Sequence, residues 1–259
     1  MDGLFGQVHI RQAEAGTTSD KLPLICLHQS PKSSREFRKI LPFLAKDRQV
    51  IAIDSPGHGE SDLPPSIDEA TIENYATSAW EVVKSLGLEK IDILGHHTGA
   101  KVATEMAVQQ PDRVQNIVMV SALVLNEQEI NEFEKQFDPI PLDHAGTRFT
   151  EQWKRAIEYK DPDRSLEDLA DSFAENLRAG NAYEWGHKAA FEYSRIFAER
   201  IKSLPHKIIV LNPKDMLFEL TPRVETYLQN GDVIDKPDWG FGFMDTIPEE
   251  SAKEILSHF

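Results

Sequence analysis

Short apolar runs alternate with longer amphipathic stretches along most of this chain. Residues 22–27, 49–53, 91–94, 116–120 and 207–211 are nearly all apolar, as strands buried on both faces are. Residues 7–12 read as an earlier edge strand and 232–235 as a short last one. Between them, 34–44, 71–85, 99–109, 222–228 and 249–259 read as helices. In 71–85, Ile72, Tyr75, Ala76, Trp80 and Val83 fall on one helical face. This rhythm predicts the α/β class, a doubly wound and mostly parallel sheet with helices on both sides. It breaks after Leu125. Residues 127–136, 150–158, 165–177 and 183–200 carry only helical periodicity, punctuated by Pro139, Pro141 and Pro162. The expected organisation is a core of 1–125 and 206–259, interrupted by a helical cap over 126–205.

Composition narrows the partners. The chain has 259 residues and a net charge of −15, which argues against nucleic acid and anionic membranes. Its one cysteine, Cys26, lies in an apolar run, so neither a disulfide framework nor a cysteine metal cluster is expected. The first residues, Met1 to Gly6, lack a basic region followed by an apolar one. The longest apolar stretch, 117–125, is interrupted by Ser121 and is too short to span a bilayer. A cytoplasmic protein acting on a small molecule is expected. Its oligomeric state is left open, a homodimer included.

The candidate chemistry sits between the strand at 91–94 and the helix at 99–109. Gly95-His96-His97-Thr98-Gly99 has the Gly-x-nucleophile-x-Gly form of a strand–turn–helix nucleophile elbow, where the central residue is normally Ser. Here it is His97, so that position decides what chemistry is open to the protein.

Four segments, in order, resemble the α/β-hydrolase superfamily over nearly the whole chain. Leu27-His28-Gln29-Ser30-Pro31 is similar to its oxyanion loop, and Asp54 to Asp62 to the D-x-P-G-x-G-x-S turn. The elbow follows, and Gln110 to Val114 is similar to the end of the helix after it. The resemblance implies an acid just after the strand before the last, where Asp215 fits. It implies a catalytic His before the Pro248-Glu249-Glu250 helix start, where Phe241 stands instead. Two of three triad positions therefore depart from the family. An imidazole at the elbow is longer than a Ser side chain and reaches toward the space of the missing His. The expected arrangement is a His97–Asp215 dyad, with one ring nitrogen on the carboxylate and the other facing the pocket. Backbone N–H groups of Thr98 and Gln29 would form the oxyanion hole, with the Gln29 side chain adding a hydrogen bond or blocking approach.

The other candidates carry plainer alternatives. His28 is expected to orient the oxyanion loop, and His58 to be a turn residue near the surface. From the cap, Trp185, His187 and Tyr193 are expected to line the pocket, with Phe241 making its floor apolar. No phosphate loop is present and no cofactor is expected. His28, His96, His97 and Asp215 could lie near one another. No metal-ligand spacing supports a cation, however, and neighbouring His96 and His97 are expected to point apart on a sharp turn. The functional expectation is a hydrolase of an ester, lactone or other activated carbonyl in a small apolar or aromatic molecule. A cofactor-free lyase or C–C bond hydrolase needs only the same base and hole. A non-catalytic ligand-binding or interaction protein on this scaffold would equally show two lost triad residues.

Overall fold

Seven strands form one sheet in the order β3-β5-β4-β6-β7-β8-β9, in a computed structural model that describes residues 1–16, 19–162 and 164–259. These strands are β3 (Ile10–Ala13), β4 (Leu24–Leu27), β5 (Val50–Ile53), β6 (Ile91–His96), β7 (Val114–Val120), β8 (Lys207–Lys214) and β9 (Gly231–Gly240). β3 runs antiparallel to β5, and all other neighbours are parallel. A two-stranded ribbon, β1 (Asp2–Gly3) with β2 (Gly6–Gln7), precedes them.

The strands of the middle are apolar on both faces because both faces are covered. Ile25 and Leu27 of β4 point into one core, with α2 (Ile72–Ser85), α3 (Thr98–Gln109) and α7 (Ala182–Lys202). Leu24 and Cys26 point into the other, with α1 (Leu41–Leu44) and α9 (Pro248–Leu256). Thr71 caps α2, its side chain accepting from the Asn74 N–H at 3.2 Å. Between β7 and β8 the described residues form four helices: α4 (Glu127–Gln136), α5 (Thr147–Glu158), α6 (Leu166–Arg178) and α7. A short α8 (Phe243–Thr246) precedes α9. No helix among the described residues is long and apolar enough to cross a membrane.

α4 starts at a capping box, in which the Asn126 side chain accepts from the Glu129 N–H and the Glu129 carboxylate accepts from the Asn126 N–H, both at 2.9 Å. Asn126→Ala is expected to lower stability by about 1 kcal/mol. Thermal unfolding checks this, and an unshifted Tm would show that α4 is held by its packing alone.

Four elements differ from the periodicity reading, three of them at a proline. Residues 34–44 are a 3-10 turn, Ser34–Phe37, followed by α1, because Pro42 cannot donate in a helix interior but fits the first turn of a new one. Residues 222–228 form a 3-10 helix, Thr221–Tyr227, with Pro222 at its start. The last strand runs on through Pro237 to Gly240, which a strand at the sheet edge tolerates. The predicted first edge strand is split between β2 and β3.

Candidate active site

The site is built where β6 meets α3. Gly95 and Gly99 let the chain turn sharply enough. A Cβ at Gly99 would collide with the Leu27 carbonyl, and one at Gly95 with the backbone of Gly99. Between them His97 adopts φ 49° and ψ −109°, a conformation costly for a residue with a Cβ. Its N–H donates to the Val120 carbonyl at 2.9 Å, which ties the strained turn to the end of β7.

This geometry raises the imidazole above the sheet. His97 Nε2 lies 2.8 Å from Asp215 Oδ2. Nδ1 has no hydrogen-bond partner among the described residues, and the side chain keeps 14% of its surface open. The Asp215 carboxylate is almost completely buried. It accepts from Ser121 Oγ at 2.6 Å and from the Leu217 N–H at 2.7 Å. Burial pushes the carboxyl up. The hydrogen bond and charge of His97, with the Ser121 and Leu217 donors, outweigh that and hold it below the usual range. Asp215 is therefore an ionised, oriented acceptor. Ser121, itself at φ 56° and fully buried, was visible in the sequence only as the polar interruption of an apolar run.

A second histidine–carboxylate pair lies behind the elbow. His96 Nδ1 is 3.0 Å from Glu36 Oε1. Burial raises the Glu36 carboxyl, but the His96 charge and hydrogen bonds from His96 and Gln29 bring it down to about 2. Both the Gln29 N–H (3.2 Å) and its side-chain amide (2.5 Å) donate to Glu36. This revises the expected oxyanion hole. The Gln29 donors are committed to a carboxylate, although the residue still borders the cavity. The Thr98 N–H has no partner among the described residues, and Thr98 Oγ1 accepts from the Ser30 N–H at 3.3 Å.

Above the elbow is a cavity of about 170 Å³. His97, Thr98, Gln29, His187 and Phe241 border it. Phe241 meets His97 edge-on at 6.0 Å, and His187 stacks on Phe137 at 3.9 Å. Burial lowers His187 to about 4 although its Nδ1–H donates to the Tyr183 carbonyl, so its ring is neutral at pH 7. Two expected pocket residues lie elsewhere, and the oxyanion-loop histidine does not reach the cavity either. Tyr193 is in the core, its hydroxyl donating to Glu105 at 2.8 Å. Trp185 packs on the core and borders a separate surface groove. His28 is buried away from the cavity. Its Nε2 accepts from the Ser55 N–H at 2.9 Å, so Nδ1 carries the proton that goes to the Gln29 carbonyl. His58 is also not a surface residue. It is fully buried beside His28 and Tyr75, and burial holds it at about 3.

The residues able to hold a cation are His96, His97 and Asp215, whose ligand atoms fall within 4.8 Å of one another. The expectation that the two His rings point apart fails. Their centroids are 4.6 Å apart, edge to face. Two lysines that the sequence reading passed over, Lys32 and Lys101, also border the cavity.

Comparison with known proteins identifies the fold. A soluble epoxide hydrolase from Corynebacterium sp. (strain C12) is 34% identical over 108 residues, 41% of this chain and 37% of that protein. A proline iminopeptidase from Heyndrickxia coagulans is 28% identical over 145 residues, 52% of this chain and 50% of that protein. The matches thus span about a third to a half of these relatives. Among solved structures, an esterase from Exiguobacterium antarcticum superposes with a TM-score of 0.79 at 14% identity, covering 99% of this chain and 97% of that one. The N-acyl homoserine lactonase AidH superposes with a TM-score of 0.77 at 18% identity, covering 99% and 95%. The alpha/beta hydrolase fold family matches residues 23–197, a span that runs from β4 through the elbow and β7 into α7, and the chain belongs to this family.

Proposed function

We propose that the protein is a cofactor-independent hydrolase of an ester, lactone or similarly activated carbonyl in a small molecule, with His97 as general base and Asp215 as its partner. One observation carries this reading. The imidazole at the strained elbow has Nε2 fixed on an ionised, buried carboxylate at 2.8 Å, while Nδ1 is left unpartnered beside the cavity. Nδ1 takes a proton from water as the water oxygen attacks the carbonyl carbon. Asp215 stabilises the imidazolium formed, and the proton then passes to the leaving oxygen. The Thr98 N–H is the backbone donor left for the developing oxyanion. Helices α4 to α7 act as the cap that roofs the pocket. The relatives named above are by name an epoxide hydrolase and an iminopeptidase, which supports hydrolysis as the reaction class.

A binding protein without turnover is the second reading. The observation favouring it is Glu36, whose carboxylate occupies the Gln29 donors that a full oxyanion hole needs. A panel of small activated esters and lactones, assayed with chelator present, separates the two. Turnover of any member supports the enzyme. No turnover, together with ligand-induced thermal stabilisation that survives His97→Ala, supports the binding protein. Zinc adds a further check. A cation held by His97 Nε2 and Asp215 replaces the proton between them, so Zn²⁺ is expected to abolish turnover and chelator to restore it. Full activity in saturating Zn²⁺ would show that these groups do not converge on one cation.

A further inference from the structure

We infer that the substrate of this cavity is a carboxylate-bearing molecule, its anionic group held near Lys101 and Lys32 and its apolar body against the aromatic wall. The inference rests on the cavity being the substrate site, and it adds the charge of the substrate to that reading.

Acidic residues outnumber basic ones 43 to 28 in this chain, so a wall of average composition would hold more carboxylates than cations. The cavity shows the opposite. Lys32, Lys101, Arg155, Lys160 and Arg164 border it, and among the described residues no Asp or Glu does. Arg164 pairs with Asp245 at 2.8 Å. The other four have no carboxylate partner among the described residues. Lys32 donates to Ser172 O and Oγ and to Asn176 Oδ1. Arg155 donates to the Gln136 carbonyl, and Lys160 to the carbonyls of Asp161, Pro162 and Arg164. Lys101 is 3% exposed and donates to the Ala190 carbonyl and Ser194 Oγ. Buried cations are ordinarily paired. Neutral acceptors satisfy the N–H groups here. Glu36, Glu175 and Asp245 act on Lys32 from beyond hydrogen-bond range, but no carboxylate acts on Lys101, so an anion beside Lys101 is what the cavity lacks.

The donor arithmetic points to a carboxylate. All three Lys32 ammonium hydrogens are engaged, so it contributes field alone. Lys101 has one hydrogen left. α3 has no acidic residue in its first turn, so the positive end of its dipole adds to Lys101. Between the two lysines, one direct donor within a positive field suits a monoanion better than a phosphate, which brings three acceptor oxygens. Burial lowers Lys101 to about 7, with no carboxylate to offset it, and lowers Lys32 to about 8 against the pull of Glu36, Glu175 and Asp245. Leu123, Phe133 and Phe191 supply the apolar wall.

Isothermal titration calorimetry with 4-phenylbutyrate, and with 4-phenylbutanamide as its uncharged counterpart, tests this without requiring turnover. The carboxylate is expected to bind at least about ten-fold tighter, equivalent to about 1.4 kcal/mol. Lys101→Met is expected to erase that preference by weakening only the carboxylate, Lys32→Met to reduce it, and His97→Ala to retain it. Equal or tighter amide binding, a ratio unchanged in both folded lysine variants, or no carboxylate binding at millimolar concentration would overturn the inference. A dead His97 dyad with the preference intact would sink only the catalytic reading.

Discussion

His97→Ala is expected to lower kcat by about 10³-fold or more on any substrate the native protein turns over, since a positioned general base contributes about 10²–10⁴-fold. Asp215→Asn is expected to cost about as much, because the amide can offer its N–H to Nε2 and reverse the tautomer, turning Nδ1 from acceptor into donor. Ser121→Ala removes one of the two other donors on Asp215 and should cost about ten-fold or less. The order His97 ≈ Asp215 > Ser121 is specific to a dyad. A site in which His97 merely fills space would show three similar, small effects. Each variant is checked by circular dichroism, and His97→Ala has reason to stay folded. It keeps the N–H bonded to Val120 and places a smaller side chain at φ 49°. Retention of activity within about three-fold in folded His97→Ala would end the general-base assignment.

The sheet was legible because its middle strands are sealed on both faces, so β4 and β5 are apolar without alternation and β6 departs from this only at Asp92 and in its terminal Gly95-His96. The elbow was legible because two glycines at fixed spacing are needed wherever α3 crosses the end of β4, and Gly99 meets the Leu27 carbonyl there. Position also brought His97 and Asp215 within hydrogen-bond reach of each other. What sequence reasoning missed was set by long-range contacts. Glu36 lies 60 residues from His96, and nothing local marks it as the partner that takes the Gln29 donors. Tyr193 looked like a pocket aromatic, but its hydroxyl is drawn inward by Glu105, 88 residues away. His58 looked like a turn residue because its neighbours are glycines. It is buried because Gly186 of α7 packs flush against its ring. Lys101 left one trace, a charge set among Ala100, Val102 and Ala103 in a buried helix.

The Lys101 charge carries the second large effect. Lys101→Met is expected to stabilise the ligand-free protein by about 1–3 kcal/mol at pH 6.5 and by progressively less as pH rises, with the gain gone near pH 10.5. The unfolded chain holds the Lys101 proton up to its ordinary 10.5, whereas burial lets the folded protein keep it only up to about 7. Below pH 7 the native state carries a buried ammonium at full cost. Between pH 7 and 10.5 the unfolded state binds more protons, so native stability rises with pH. Above that range the amine is neutral in both states and the penalty is absent. Methionine has similar length, an adaptable side chain and no charge. Removing the amine strands little, because Ser194 Oγ still donates to the Ala190 carbonyl at 3.0 Å. Losing two hydrogen bonds to neutral acceptors offsets part of the gain, which is why it falls short of the full shift. The difference in Tm between the two proteins, measured from pH 6 to 10, isolates Lys101 from Lys32, which contributes the same sign to both. A lower Tm for Lys101→Met at pH 6.5, or a difference independent of pH, would mean that the amine is already compensated in the empty cavity. The expected result instead marks Lys101 as a residue held against stability, which sequences maintain where a site needs it. A bound carboxylate should then raise the Tm of the native protein and leave that of Lys101→Met nearly unmoved.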